Sequence, residues 1–391
     1  MITVDEALSQ LFALAQAMPS ETVPLRDARG RVMLSDAVAR RSQPPFAASA
    51  MDGYGVTAGA AVPGARLEVI GEAAAGHSFD GPVGAGQAVR IFTGAPVPDG
   101  VGHVVLQEDC TRDGPHVTIT GTPGDNTNIR PAGGDFSVGD RLSAPRRLTP
   151  ADMALLASMN IAHVPVARRP VVALISTGDE LVMPGEEPGP DQIIASNTFG
   201  LLGLIQEVGA EPRLLPIARD TDASLHMALE LAQGADVVVT IGGASVGDHD
   251  IVARVAEETG MQRAFYKIAM RPGKPLMAGR IGDALMLGLP GNPVSAMVCG
   301  HLFLLPVLRA MTGLPAAPAP RVQAVLATDV AANGPREHYM RAKLVDGTVT
   351  PFDRQDSSLL SILSDANGLL VRPIDDGARQ AGETVDVVPL F

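Results

Sequence analysis

Aromatic side chains are scarce in this 391-residue chain. It has no tryptophan, three tyrosines and ten phenylalanines, 3% in all. Its cores must therefore be filled by Val, Leu, Ile, Ala and Met. Cysteine is nearly absent as well. Cys110 and Cys299 are too few for a disulfide framework or a Cys-based zinc site, and a reducing cytoplasm is the expected compartment. Positive charge is in deficit, with 30 Lys and Arg against 43 Asp and Glu, a formal net charge of -13. That balance argues against general nucleic-acid binding, which needs clustered cations, but not against a local basic pocket for a small anion. The most apolar stretch, around 285–311, is interrupted by Pro290, Asn292, Pro293 and Pro306, so no membrane span is expected. The N-terminus lacks the basic start of a secretory signal. Familiar catalytic and phosphate motifs are missing too. No G-x-G-x-x-G follows a strand, "PGKP" has proline where a P-loop needs Ser or Thr, and neither G-x-S-x-G nor H-E-x-x-H occurs.

What is present is globular. Hydrophobic residues make up 46%, and the 42 glycines and 32 prolines are spread along the chain as turns and shaped loops rather than as a disordered tract. The length suggests roughly two to four domains. Residues 1–40 open with a helix, where Thr3 and Glu6 fit a capping box and Val4, Leu8, Leu11, Phe12 and Ala15 share a face. Residues 41–144 read as β structure, with "RLEVIGEA", "QAVRIFTGA", "HVVLQEDC" and "HVTITG" as strands and "TRDG" as a hairpin turn. Asp52-Gly53, in "SQPPFAASAMDGYGV", also reads as a hairpin turn. Helix returns at "LTPADMALLASMN", with Thr149 as N-cap and Pro150 at the first helical position. The β zone is thus an insertion into a helical and linker domain formed by 1–40 and 145–169.

Residues 170–315 alternate apolar strands ("VVALIST", "ADVVVTIGG", "ALMLGLPG") with helices. This pattern implies a mostly parallel sheet covered on both faces. Residues 316–391 return to β structure, with a hairpin at Asp346-Gly347 and a last strand at "TVDVVPLF". The expected fold is a multidomain α/β protein with a mostly parallel α/β sandwich. It adds a small inserted β domain, an N-terminal helical and linker domain, and a C-terminal β domain.

In open α/β sheets, ligands bind beyond the carboxyl ends of the strands. Three unusual loops fall there: "STGDEL" (176–181), "TIGGASVGDHD" (240–250) and "LPGNPVSA" (289–296). Gly242, Gly243 and Gly247 allow backbone N–H groups to approach an anion, and Ser245 adds a hydroxyl. Asn292 and Pro293 open a helix whose N-terminus favours negative charge. Ser176, Thr177 and Gly178 line the first loop, and Pro290, Gly291 and Ser295 belong to the third. All of these are candidates for cofactor binding. Asp179, Glu180, Asp248 and Asp250 offer hard oxygen ligands, which beside phosphate suggest Mg²⁺ rather than zinc. Lys267, Arg271 and Lys274, in or beside the loop "AMRPGKPLMAG" (269–279), supply cations for phosphate or an oxyanion. Each loop alone reads as an ordinary turn, and the acids alone as helix caps. Their coincidence on one rim is what points to a site.

The motifs "PPFAASAMDGYGV", "RIFTGAPVP", "STGDEL", "GGASVGDHD", "MRPGKP" and "GLPGNPVSA", in that order, resemble the MoeA-type molybdopterin molybdenumtransferase family, to which the C-terminal region of gephyrin also belongs. The resemblance runs over nearly the whole chain. It implies the last step of molybdenum cofactor synthesis, in which adenylylated molybdopterin is hydrolysed, AMP leaves and molybdate enters the dithiolene. It further implies a homodimer whose cleft lies between the α/β domain of one subunit and the inserted β domain of the other. Magnesium is the implied metal, and molybdopterin, its adenylylated form and molybdate are the substrates. A molybdopterin adenylyltransferase and molybdoenzyme maturation factors would be further partners, with no nucleic acid and no membrane.

Carried over residue by residue, the resemblance puts Asp52, Thr93 and Asp135 at the cleft from the inserted domain. Glu180 and Asp250 would lie on the α/β rim as catalytic and metal-binding groups, with Asp220 as a third metal ligand. Lys267, Arg271 and Lys274 would hold phosphate or molybdate, and Arg341 and Ser357 would come from the C-terminal domain. Three departures concern the inserted domain, where Ala47 and Ala48 replace the usual Asp-Asn and Gly134 replaces a Glu. Arg271 stands where some members have lysine. Two alternatives stand beside this reading. A molybdopterin adenylyltransferase would carry a Gly-Gly-Thr-Gly loop where this chain has "GGAS". A non-catalytic molybdopterin-binding scaffold would be expected to lose the rim acids, which are present here.

Overall fold

The computed structural model describes residues 1–243 and 251–390. The central element is a six-stranded sheet in the order Glu211–Leu214, Val171–Ser176, Val237–Ile241, Ala284–Leu289, Pro275–Ile281, Gln262–Lys267. The first four strands are parallel, and Pro275–Ile281 pairs antiparallel with both its neighbours, so Gln262–Lys267 runs with the first four. The expected parallel core is therefore there, with one antiparallel strand next to its edge. Part of the 269–279 segment, read as a loop, is the strand Pro275–Ile281. Its residues Leu276 to Ala278 are buried against neighbours on both sides, which a surface loop could not provide.

The parallel strands read as unbroken apolar runs because both faces are covered. Alternate residues enter different cores. Val172, Leu174, Val237, Val239 and Leu287 point into one, packed by the helices Asn197–Glu207 and Pro293–Cys299. Ala173, Ile175, Val238 and Met286 point into the other, packed by Asp222–Leu231 and Ile251–Glu258. The opening helix Val4–Leu14 carries both bonds of its capping box with Thr3 and Glu6. Its buried face, Val4, Ala7, Leu8 and Leu11, belongs to the first of these cores rather than to the packing around 145–169. Burial of Leu8 and Leu11 there contributes about 1.5–3 kcal/mol each.

One helical run, Pro293–Met311, is long and apolar enough to cross a membrane, but 83% of that window is buried inside the protein. It continues past Pro306 through a wide turn at Gly300–Leu304. A wide turn of this kind accommodates a residue that has no N–H to donate.

A small antiparallel sheet joins the two ends of the insertion. Ser20–Pro24 and Val32–Met33 pair with His163–Ala167, and Arg146–Arg147 pairs with Val32–Met33. The helix Pro150–Ser158 starts at Thr149 with Pro150 in its first turn, as its sequence predicts. Between these ends lies a six-stranded sheet that includes Arg66–Ala73, Gln87–Ile91, His103–Leu106 and a Cys110–Asp113/His116–Ile119 hairpin. Asp52-Gly53 is not a hairpin turn. Gly53 begins the strand Gly53–Val56, which is paired on both sides, with Gln87–Ile91 and His103–Leu106. Glycine is required there because a Cβ would collide with the Val105 carbonyl of the neighbouring strand.

The C-terminal strands close on themselves. Glu337–Val345, Thr348–Pro351, Val322–Leu326, Thr384–Pro389 and Gly368–Arg372 form a five-stranded barrel, closed by pairing of the first with the last. Tyr339, Leu369 and Val388 pack into the first sheet core, so the barrel is fused to the α/β unit.

Candidate functional site

The strand order changes direction between Val171–Ser176 and Val237–Ile241, because the chain steps first to one side of Val171–Ser176 and then to the other. A cleft of about 960 Å³ opens at the carboxyl ends of these strands, where such folds bind ligands. Predicted residues from all three loops line it. Ser176, Thr177 and Glu180 come from the first loop, Gly242 and Gly243 from the second. Pro290, Gly291, Asn292 and Pro293 come from the third. Asp220 lines it as well. Ser245, Gly247, Asp248 and Asp250 lie outside the described residues.

The cleft is held mostly by backbone. The Thr177 N–H donates to Ile241 O at 3.0 Å, the Gly178 N–H to Ala218 O at 3.1 Å and the Gly242 N–H to Leu289 O at 3.0 Å. Gly242 has φ +95°, and a Cβ there would come within 2.7 Å of the Thr177 carbonyl oxygen. Only glycine lets the two loops approach this closely. The Ser176 and Thr198 hydroxyls share a short buried hydrogen bond, which ties the strand end to the helix Asn197–Glu207.

Two helices start at the cleft, Asn197–Glu207 at Ser196 and the run from Pro293 at Asn292. Neither cap residue satisfies the first turn with its side chain. The helices Val4–Leu14 and Pro150–Ser158 are, by contrast, capped by their own threonines. At the second start Pro293 has no N–H and the Val294 N–H is taken by the Ser357 carbonyl, so attraction of an anion by open N–H groups falls to the start at Ser196. Asn197, which sequence reasoning missed, donates to Gly291 O at 2.7 Å and fixes the two starts relative to each other.

The acids Glu180 and Asp220 line the same cleft. Burial raises the carboxyl pKa of Asp220, and the charges of Asp179 and Glu180 raise it further. A carboxylate raised by two neighbouring acids favours a bound cation. Glu180 and Asp220 therefore fit a hard divalent ion that keeps open positions for water or phosphate. Among the described residues no group of three His, Cys, Asp or Glu side chains is arranged to hold a metal. The predicted third ligand, Asp250, is outside them. Arg219, also missed, donates to Asp179 O and Leu181 O at 2.9 and 3.2 Å and pins the two acidic loops together. Arg254 lines the cleft and grips Asp222 at 2.5 and 3.0 Å, with Glu258 at 3.0 Å. Position on a polar helix face was the only sequence signal for it.

The three predicted basic residues border the cleft rather than line it. Lys274 adjoins Pro275, which lines the cleft, and Lys267 pairs in register with Pro275 on the edge strand. The Lys267 ammonium lies 5.2 Å from the Tyr266 ring centroid. Arg271 is exposed and pairs in register with His338 of the barrel. None of the three forms an ion pair among the described residues.

The barrel's contribution differs from the expectation. Arg341 is buried at 1% exposure and does not line the cleft. Its guanidinium donates to Gln355 Oε1 and to the backbone oxygens of Asp356 and Leu359, so its donors hold a loop rather than meet a ligand. On that loop Ser358 lines the cleft, whereas the Ser357 carbonyl accepts from the Val294 N–H at 3.0 Å. Ser295 is buried in the helix behind the opening. Neither cysteine resembles a nucleophile. Burial, and then Asp109, pushes the Cys110 thiol up to about 11, and burial pushes the fully enclosed Cys299 up as well.

The inserted domain forms a second constellation. The Thr93 backbone N–H and hydroxyl both donate to Asp52 Oδ1 at 2.7 Å. These two bonds hold the Asp52 carboxyl below the usual range, the backbone one more strongly, with a smaller pull from Arg90. Asp135 is exposed on an adjoining loop whose N–H donates to Gln43 O at 2.9 Å. Ala47 and Ala48 are held through their backbones. The Val97 N–H donates to Ala47 O, and Ala48–Ser49 pairs with Ile129–Arg130. No residue of 41–144 lines the cleft.

Residues 2–160 match the family described as the MoeA N-terminal region, 173–310 a probable molybdopterin binding domain, and 323–390 the MoeA C-terminal region. The chain belongs to the MoeA family. Among its relatives, the molybdopterin molybdenumtransferase of Haemophilus influenzae is 35% identical, with 100% of this MoeA-family chain and 98% of the relative covered. The molybdopterin molybdenumtransferase 2 of Mycobacterium tuberculosis is 36% identical over 99% of both chains. A crystal structure of the molybdopterin biosynthesis MoeA protein of Pyrococcus horikoshii OT3 superimposes with a TM-score of 0.86 at 28% identity, over 100% of both chains.

Proposed function

We propose that this chain is a molybdopterin molybdenumtransferase. The observation that carries this reading is the switch-point cleft, lined by the helix start at Ser196, glycine loops and the acids Glu180 and Asp220. The helix start and glycine loops suit the phosphates of a nucleotide-linked substrate, and the acids a divalent cation. The names of relatives matched over nearly their whole length supply the substrate, molybdopterin, and the metal to be inserted, molybdenum.

In the finer reading, the substrate is adenylylated molybdopterin and AMP is released when its pyrophosphate link is cut. The helix start at Ser196 and Gly242–Gly243 bind phosphate, and Lys274 at the rim, with Lys267 and Arg271 farther out, attracts molybdate. Glu180 and Asp220 would hold Mg²⁺, which when bound neutralises phosphate charge. Asp52, oriented by Thr93, is a carboxylate kept ionised for the hydrolytic step. In this reading Asp52 acts on the cleft of a partner copy, and the working form is a homodimer. A cytoplasmic location accords with this biosynthetic role.

Purified protein given adenylylated molybdopterin, molybdate and Mg²⁺ should release AMP and yield a molybdenum-loaded pterin. Tight pterin binding without AMP release would favour a scaffold. Formation of the adenylylated compound from ATP would favour an adenylyltransferase.

A further inference from the structure

Arg90 opens the "RIFTGAPVP" motif, and no role was expected for it. It lies on the strand Gln87–Ile91, opposite Tyr54 in register. Its guanidinium is stacked between two rings, 5.1 Å from the Tyr54 centroid and 4.5 Å from the Phe92 centroid. One arm donates to Gly53 O at 3.0 Å and the other to Gln107 Oε1 at 2.6 Å. The Gln107 backbone N–H in turn donates to Asp52 O at 3.1 Å. Arg90 thus grips the carbonyl just after Asp52 and, through Gln107, the carbonyl of Asp52 itself. Phe92, stacked on it, immediately precedes Thr93, whose N–H and hydroxyl hold the Asp52 carboxylate.

We propose that Arg90 is a positioning residue that fixes the Asp52 carboxylate by clamping the Asp52-Gly53 backbone between Tyr54, Phe92 and Gln107. The inference rests on the reading of Asp52 as a reacting group. The two-pronged, flat grip is specific to arginine. A lysine ammonium would keep the charge but could not donate to Gly53 and Gln107 in one plane while stacked between two rings. The clamp explains how a half-buried carboxylate at a strand end can be held to one orientation.

The test is a double-mutant cycle on AMP release, using Arg90→Lys, Arg90→Met, Asp52→Asn and the Arg90→Met/Asp52→Asn pair. Both Arg90 variants should lower kcat by about ten- to a hundredfold with KM little changed, since misplacement of a reacting group costs rate rather than binding. The pair should be no slower than Asp52→Asn alone. With no tryptophan and three tyrosines in the chain, the near-UV signal of Tyr54 should change in both Arg90 variants while cooperative unfolding persists. Wild-type kcat in Arg90→Lys, or additive losses in the pair, would overturn the proposal. A fully active Asp52→Asn would overturn the reading of Asp52 beneath it.

Discussion

The α/β cleft and the Asp52 strand end solve different problems with different materials. The cleft is concave, about 960 Å³, and lined by strand-end loops with glycine, two helix starts and the acids Glu180 and Asp220, its loops tied together by backbone hydrogen bonds. The Asp52 site is a strand end outside that cleft, held by the Thr93 backbone N–H and hydroxyl and by side chains packed beneath it. Thr93 fixes the carboxylate, and the stacked Arg90 fixes the backbone beneath it. A backbone cradle suits an anion that must be bound and released. A single carboxylate in one orientation suits a reaction step. The proposed homodimer brings the two regions together between two copies.

The sharpest way to break the comparison is to remove one acid from each region. Asp52→Asn and Glu180→Gln should each lower AMP release about a hundredfold or more. They should differ in binding. Stabilisation of the protein by Mg²⁺, read as a rise in Tm, should disappear in Glu180→Gln and weaken in Asp220→Asn, but survive in Asp52→Asn. Equal loss of Mg²⁺ stabilisation in all three would erase the distinction between a binding region and a reacting one.

A smaller effect separates backbone from side chain. Gly242→Ala should destabilise the fold by roughly 1–3 kcal/mol, since alanine would be forced into the left-handed region against the Thr177 carbonyl. It should also weaken substrate binding. Thermal unfolding and titration with AMP would measure the two losses.

The smallest effect is a pH shift. The two bonds from Thr93 depress the pKa of Asp52, so the carboxylate contributes stability above its unfolded pKa and loses it as pH falls through the lower folded value. Thr93→Val removes the hydroxyl and keeps the backbone bond. The acid limb of the pH–rate profile should therefore move to higher pH, with little change in stability because the backbone bond remains. An unchanged limb would mean that Asp52 does not set it.

Much of this architecture was legible in sequence because it rests on local rules. Thr3 with Glu6 and Thr149 with Pro150 announce helix starts, and Asp346-Gly347 announces a hairpin. The split of Val172 and Ala173 into different cores follows from a strand covered on both faces. The cleft loops were legible because glycine and proline at strand ends have few other uses. What escaped was non-local. Nothing near Gly53 shows that Val105 lies against it, so a strand was read as a turn. Arg341 carried a charge that suggested a ligand, but its donors go to backbone carbonyls of a loop brought alongside by barrel closure. Arg90 and Arg219 were missed for the same reason, since their partners come from other elements, and so does Asp222, which Arg254 grips beside Glu258 of its own helix.

The central claim is that the cleft of one protomer works with Asp52 of its partner, and subunit complementation tests it most directly. Asp52→Asn and Glu180→Gln protein, each inactive alone, would be co-expressed with different tags and the mixed dimer isolated. In such a two-fold dimer one of the two sites carries neither substitution. The account predicts that AMP release returns to about half the wild-type rate per dimer. Isolated mixed dimers as inactive as either parent would contradict it.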